Sequence, residues 1–295
     1  MSGALSVRQQ SSADRETARL DLADLYLYAM RVGMHLLARG RLKRALRYLV
    51  QPVPYWRGLE YRLVWDAARF TPGDRILDIG SPKLLALYLA EKVGAEVHAT
   101  DIDAYFVNEY TLLRRARGLS EQNLAFDVQD GRALTYAAAS FTKVYAVSVL
   151  EHIPDEGDSD CVREIGRVLR PGGTCLVTVP FWPVSRDEYK EPDAFYWAGS
   201  SKTRADGRVF FQRRYSEADL FTRLIEPSGL ALDKIAFVGE RVLAGSDREF
   251  GDFLPVPSGP VHPLLSRLVH TGPVDSPAAL VKPLCAFVVL TKPTA

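Results

Sequence analysis

The chain predicts an α/β fold built on an open, mostly parallel sheet, and three observations carry that prediction. Arg75-Ile-Leu-Asp-Ile-Gly80 reads as a buried strand entering a glycine turn, and residues 81–90 continue as a helix. Val97-His-Ala-Thr-Asp101 follows as a second strand that ends on a carboxylate, 21 residues beyond Gly80. Thereafter strand-like and helix-like segments alternate, the pattern of right-handed crossovers in a parallel sheet.

Residues 1–15 are rich in Ser, Gln and Asp and are expected to be disordered. Between Ala18 and Val50 the residues Leu20, Leu22, Leu25, Leu27, Met30, Met34, Leu37 and Leu42 recur at roughly helical spacing. Gly33 and Gly40 divide the stretch into two or three helices, and Pro52 and Pro54 end it. This predicts an N-terminal helical cap over residues 16–57, followed by one large domain over 58–295.

Strands are expected near 75–79, 96–100, 123–127, 143–149 and 174–180, with two later ones at 231–239 and 285–291. Helices are expected near 83–93, 104–117, 158–169 and 216–227. Arg170-Pro-Gly-Gly173 reads as the turn closing the third of these, with Gly supplying a left-handed cap. Two segments break the alternation. Residues 181–214 are dense in aromatics, and residues 250–284 hold most of the late prolines. Long irregular insertions in a compact domain are commonly lids or binding loops, so 181–214 is expected to roof the substrate.

A formal net charge of +1 gives no global field toward nucleic acid, and none is expected as a partner. The segment from Leu25 to Arg57 nevertheless carries seven basic residues and no acidic one. That composition suits either a solvated basic face or peripheral contact with an anionic membrane surface. Cys161, Cys175 and Cys285 form no CxxC pair, and Cys175 falls inside an apolar strand. With no apolar signal core and no run of about 18 apolar residues, a cytoplasmic protein is expected.

In an open parallel sheet, ligands bind outside the carboxyl ends of the strands, at the switch point. A glycine turn lets backbone approach the ligand, and a carboxylate about 20 residues onward can accept both hydroxyls of a ribose. Gly80 and Asp101 therefore point to a nucleoside-containing ligand. A complete Gly-x-Gly-x-x-Gly run is missing, which sets aside a nicotinamide-dependent dehydrogenase.

Five pieces then combine: Leu77-Asp-Ile-Gly80, Ala99-Thr-Asp101, Asp130-Gly131, Ser148-Val-Leu-Glu-His-Ile153 and Glu164-Ile-Gly-Arg-Val-Leu-Arg-Pro-Gly-Gly173. In this order they resemble the class I S-adenosylmethionine-dependent methyltransferases, in the broad group with a Leu-Glu-His signature. The resemblance covers about residues 58–240. It implies a Rossmann-like seven-stranded sheet, mostly parallel with one antiparallel edge strand, flanked by helices, and S-adenosyl-L-methionine as cofactor. It further implies that Asp78 and Gly80 approach the methionyl part and that Asp101 holds the ribose hydroxyls. Asp130 would accept from the adenine amino group, with the Gly131 N–H nearby, and Ser148 would lie beneath the methyl. Ser81, Lys83 and Ile102 complete the implied cofactor set. Asp78 has a second reading, bonding turn N–H groups to hold the loop. The sequence departs from the family pattern after Gly80, where Ser81-Pro82-Lys83 replaces further glycines. Lys83 there either meets the cofactor carboxylate or points to solvent.

Methyl transfer asks chiefly for alignment and exclusion of water, and a hydroxyl acceptor also asks for a base. His152, after the fourth strand, is the expected general base or else a loop-fixing hydrogen bonder. Glu151 orients His152, binds substrate or helps hold a divalent cation; without a neighbouring carboxylate at suitable spacing, no metal site is expected. Asp155, Glu156, Asp158 and Asp160 read as the dipole-favoured first turn of the next helix. Tyr215 either touches substrate or buries its ring, and Ser216 with Asp219 matches an N-cap arrangement. The expected function is methylation of an O or N atom of a small molecule: a sugar moiety, a lipid or quinone, or a specialised metabolite. Alternatives are transfer from a different sulfonium carbon (aminocarboxypropyl transfer or cyclisation) and a non-catalytic cofactor-binding module.

Overall fold

The structure is a computed structural model and describes residues 20–50, 53, 55–192, 202–241 and 269–294. The expected tail over 1–15, Pro52 and Pro54, the aromatics Phe195, Tyr196 and Trp197, and the first part of the 250–284 insertion lie outside the described residues.

Three helices open the chain: α1 (Leu22–Leu37), α2 (Leu42–Val50) and α3 (Tyr55–Ala68). Asp21 caps α1 by accepting the Ala23 N–H at 2.8 Å. The expected boundary at residue 57/58 falls inside α3, so the cap and the main domain share a helix. Strand β1 (Arg75–Ile79) leads into α4 (Leu84–Tyr88), whose last turn widens over Leu89–Val93 and stops at left-handed Gly94. Then come β2 (Glu96–Asp101), α5 (Ala104–Ala116), β3 (Leu124–Val128), β4 (Phe141–Val147), α6 (Gly157–Val168) and β5 (Leu169–Pro180). The Arg170–Gly173 segment is not a separate turn. It is the bent start of β5, with Gly172 at φ +73° and its N–H donating to Lys292 O at 2.8 Å.

A hairpin of β6 (Arg186–Lys190) and β7 (Val209–Arg214) fills the described part of the first insertion. Short helices α7 (Glu217–Asp219) and α8 (Glu226–Ser228) flank a wide π-type turn over Leu220–Ile225, and the Ser216 hydroxyl accepts the Asp219 N–H at 3.2 Å. Strands β8 (Ala231–Glu240), β9 (His270–Val274) and β10 (Lys282–Thr291) complete the chain.

The main sheet has eight strands in the order β3-β2-β1-β4-β5-β10-β8-β9. The mostly parallel, Rossmann-like sheet flanked by helices is as expected, with eight strands in place of seven and a second antiparallel strand besides the one at the edge. The antiparallel β10 is threaded between β5 and β8, and β9 forms the edge beyond, antiparallel to β8. β10 is apolar throughout its middle because both of its sides are paired and both of its faces are covered. Side chains alternate between two buried layers. Ile76, Tyr145 and Val147 join the layer of α1, α3, α4 and α5, while Leu77, Val144 and Ala146 join the layer of α6 and the 217–228 segment. The chain runs outward from β1 through β2 to β3, then jumps back to place β4 on the other side of β1. The sheet's switch point is therefore the gap between the ends of β1 and β4.

Candidate active site at the β1/β4 switch point

Two loops meet at this gap. Gly80 holds φ +61°, and a Cβ there would come within 2.7 Å of Val149 Cγ1, so only glycine lets the β1 and β4 loops touch. Its N–H donates to Thr100 O at 2.9 Å, which ties the turn to β2. Asp78 is fully buried, and its Oδ1 accepts the Ser81 N–H at 3.1 Å. Burial pushes its carboxyl up to about 6, against the opposing pull of Lys83. The Ser81 hydroxyl accepts the Val147 N–H at 2.9 Å and so staples the loop to β4.

Lys83 does not point to solvent. Its side chain is buried, with Nζ donating to Thr100 O at 2.7 Å and lying 3.6 Å from Asp78 Oδ2. The ammonium thus stands under the turn where a glycine-rich loop would leave space, and it partly neutralises the one buried carboxylate there.

At the end of β2, Asp101 accepts the Asp103 N–H at 3.1 Å. Burial raises its carboxyl above the usual range, with Lys83 acting the other way. Ile102 beside it is 66% exposed. Asp130 is held by Arg132, which donates from Nη2 at 2.7 Å and from its backbone N–H at 2.9 Å; this pairing keeps the carboxyl low. Gly131 packs where a Cβ would meet Cys161 Sγ at 2.9 Å, which brings α6 close under the β3 loop.

The residues present fit a nucleoside cofactor. A side-chain-free turn faces the switch point, a partly open carboxylate stands at the end of β2, and an exposed apolar residue beside it offers a face to a purine. Asp101 and Asp130 would hold sugar and base, and the loop at 78–83 would line the amino-acid end.

On the other side of the gap lies a buried polar cluster. Ser148 sits at φ +49°, a strained position for a side-chain-bearing residue. Its hydroxyl donates to Glu60 Oε1, which also accepts the Thr178 hydroxyl at 2.9 Å. Arg57 pairs with Glu60 Oε2 at 2.8 Å and donates to Val147 O at 3.1 Å. Tyr61, on the same helical face, donates to Pro82 O at 2.9 Å. Glu151 is 1% exposed, and its Oε2 has no hydrogen-bond partner among the described residues. Burial, reinforced by the neighbouring Glu60 charge, pushes its carboxyl up to about 8. His152 has Nδ1 2.7 Å from Phe211 O, which makes Nδ1 the protonated nitrogen, and Nε2 lies 3.8 Å from Glu151 Oε1. Burial lowers its imidazolium to about 4, so the ring is neutral near pH 7.

Asp78, Gly80, Ser81, Lys83, Asp101 and Ile102 thus gather at the β1 and β2 ends, and Ser148, Glu151 and His152 at the β4 end. Tyr215 is not among them. It is fully buried, and its hydroxyl donates to Asp158 Oδ2 at 2.8 Å. Asp158 lies in the first turn of α6, as expected, and is also a buried hub that binds Arg213 and Arg223, each at 2.7 Å. Sequence reading missed Arg57 and Glu60 altogether; the available signal was Arg57, Glu60 and Tyr61 at helical spacing just before β1. The described residues contain no His, Cys, Asp or Glu group that could hold a metal ion, and all three cysteines are buried free thiols.

Comparison with known proteins agrees with this geometry. Residues 77–177 match the model of a methyltransferase domain. Methyltransferase GfsG of Streptomyces halstedii is 36% identical over 118 residues, 39% of this chain and 40% of that protein. The 27-O-demethylrifamycin SV methyltransferase of Amycolatopsis mediterranei (strain S699) is 30% identical over 105 residues, 34% of this chain and 36% of that protein. The matches therefore span about two fifths of these relatives or less. Among solved structures, the [4+2]-cyclase SpnF superposes with a TM-score of 0.53 at 19% identity, covering 81% of this chain and 83% of that one. Residues 77–177 are thus similar to a methyltransferase domain, and the sheet that carries them has the Rossmann-like methyltransferase fold.

Proposed function

We propose that this protein methylates an oxygen atom of a small molecule, with Glu151 taking the acceptor's proton. The observation that supports this reading is a carboxyl group buried beside the switch point with one oxygen unpartnered among the described residues, a burial that raises its affinity for protons. S-adenosylmethionine supplies an already activated methyl group when bound. The chain's own task is then to orient the acceptor, exclude water and move one proton. A base works best when its affinity for protons matches the operating pH. Glu151, near 8, meets that condition in its ionised form, whose share grows as pH rises toward 8, whereas His152, near 4, is a weak base at neutrality. His152 instead ties the β4 loop to β7 through Phe211 O, so the 181–214 insertion is anchored beside the acceptor side. Arg57 and Glu60 hold Ser148 and Thr178 in place beneath it. The rifamycin relative's name denotes O-methylation, in keeping with a hydroxyl acceptor here.

A second reading keeps the cofactor but transfers a different sulfonium carbon. The observation favouring it is the buried Lys83 ammonium at the turn that would line the amino-acid end of the cofactor. Cofactor carrying a labelled methyl separates the two with any acceptor that turns over. Label in the product supports methyl transfer; label retained in methylthioadenosine refutes it. The proton role is tested by Glu151→Gln, which should abolish turnover while changing the dissociation constant for the demethylated cofactor by less than about threefold. Unimpaired turnover would overturn the assignment of Glu151.

A further inference from the structure

The α1–α2 hairpin carries a surface that the catalytic reading leaves unused. Helix α2 packs one side on α1, where Gly33 makes room: a Cβ there would meet Leu49 Cγ and Tyr48 Cβ at 3.0 Å. That contact covers Ala45, Tyr48 and Leu49. Leu42, Leu46 and Val50, at spacing i, i+4 and i+8, span an arc of about 80° on the helix. They remain 58%, 49% and 48% exposed. The apolar arc of α2 is therefore wider than α1 covers. On its open side it is bordered by exposed Lys43 and Arg47, with exposed Arg41 just before the helix. Helix α1 adds exposed Met34 and Leu37.

Beside the hairpin turn, facing α5, is a cavity of about 360 Å³ whose charged walls are Arg39, Arg41, Arg44, Arg115 and Glu109. Glu109, the one carboxylate lining it, is paired with Arg44. The cavity thus holds an excess of guanidinium groups, the donor set for phosphate or carboxylate oxygens. No acidic residue occurs from Leu25 to Val50, so the acids of the hairpin, Asp21 and Asp24, are confined to the start of α1.

We infer that this hairpin docks the protein on an anionic lipid bilayer. The stripe Leu42-Leu46-Val50 enters the headgroup boundary, and the flanking cations and the arginine cavity meet lipid phosphates. An uncovered apolar arc bordered by cations on a short surface helix is the pattern of an in-plane membrane anchor. Charge argues against a second copy as the occupant, because two such faces would meet cation to cation. The inference does not depend on the proposed chemistry.

The test is flotation of the full chain with phosphatidylcholine vesicles, with and without about a third phosphatidylglycerol. Binding is expected to the anionic vesicles alone and to weaken as salt is raised. Lys43→Gln with Arg47→Gln should weaken it by about thirtyfold, since each surface cation contributes about fivefold. Leu42→Ser with Leu46→Ser should weaken it at least tenfold, and neither pair should change affinity for the demethylated cofactor. Retained cofactor affinity shows that the variants fold and keeps this result separate from that of the catalytic reading. Equal binding to neutral vesicles, no binding to either kind, or insensitivity to the leucine pair would overturn the inference. So would a concentration-dependent dimer in ultracentrifugation that Leu46→Ser abolishes.

Discussion

Glu151→Gln offers a measurement of the candidate site that needs no knowledge of the acceptor. The carboxyl is 1% exposed and its folded value of about 8 lies above the ordinary 4.5. A group whose folded value is raised binds its proton more tightly in the native state. Its contribution is fully present below 4.5 and is lost as pH rises toward 8. Asp78, raised from 3.8 to about 6, acts in the same sense but in a lower window. His152, lowered from 6.5 to about 4, acts in the opposite sense and only below 6.5. Between pH 6.5 and 8 these two are spent while Glu151 still titrates against the unfolded chain. At about 1.36 kcal/mol per unit, that interval removes about 2 kcal/mol from the wild type. His98 also contributes a fall here: burial opposes protonation, yet hydrogen bonds to Asp127 and Glu96 raise the ring above 6.5. Its effect is common to wild type and variant and cancels in their difference. Glutamine mimics the protonated carboxyl, so at pH 6.5 the variant should lie within about 1 kcal/mol of wild type. By pH 8 the balance should have shifted about 2 kcal/mol in the variant's favour. In urea unfolding with a slope near 3 kcal/mol per molar, this is a relative midpoint shift of about 0.7 M. A wild type–variant difference that stays constant across the interval would refute the buried, proton-holding carboxyl.

The remaining predictions address other parts of the molecule. Asp101→Ala should weaken binding of demethylated cofactor by about 1.5–3 kcal/mol in calorimetry with little change in melting temperature, as loss of a charge-assisted acceptor implies. Asp158→Asn removes the fully buried counter-charge of Arg213 and Arg223, leaving Arg213 paired with Asp187 and Arg223 with Glu156, and should cost about 1.5–3 kcal/mol of stability, read as a lowered urea midpoint. Tyr215→Phe removes one hydrogen bond to the same hub and should cost about 1–2 kcal/mol while leaving cofactor affinity unchanged, which separates a structural tyrosine from a substrate contact. Gly80→Ala places a Cβ against Val149 at a left-handed φ and should raise the cofactor dissociation constant at least tenfold.

Residues close in sequence were legible and residues far apart were not. The turn at Gly80 and the carboxylate at Asp101 follow from local pattern, because a strand, a glycine and a second strand are contiguous and their geometry is nearly forced. The order of the last strands was not legible: nothing local in Cys285–Leu290 says that β10 inserts between β5 and β8 instead of closing the edge. The partners of Asp158 were not legible for a related reason. An acid in the first turn of a helix has a sufficient local explanation in the dipole, while its partners Arg213, Tyr215 and Arg223 lie 55–65 residues downstream. Lys83 was open between two outward readings, and the third, inward one depends on Thr100 O lying under the turn.

Glu60 shows why the acceptor side was the harder half. Its partner Thr178 is 118 residues away, so no motif spacing could have joined them. Yet the three polar contacts from α3 have one physical consequence. Tyr61 grips the β1 loop at Pro82, Arg57 grips the end of β4 at Val147, and Glu60 grips both Ser148 and Thr178. A single helical face therefore bridges both sides of the switch point. A tilt of α3 would change the separation between the loop that would line the cofactor and the loop that carries Glu151. Ser148 can persist at positive φ because Glu60 and the β5 bonds to its N–H over-determine it. Helix α3 is thus part of the candidate site's wall, and a chain shortened to the region that matches the family model would lack the residues holding Ser148 in place.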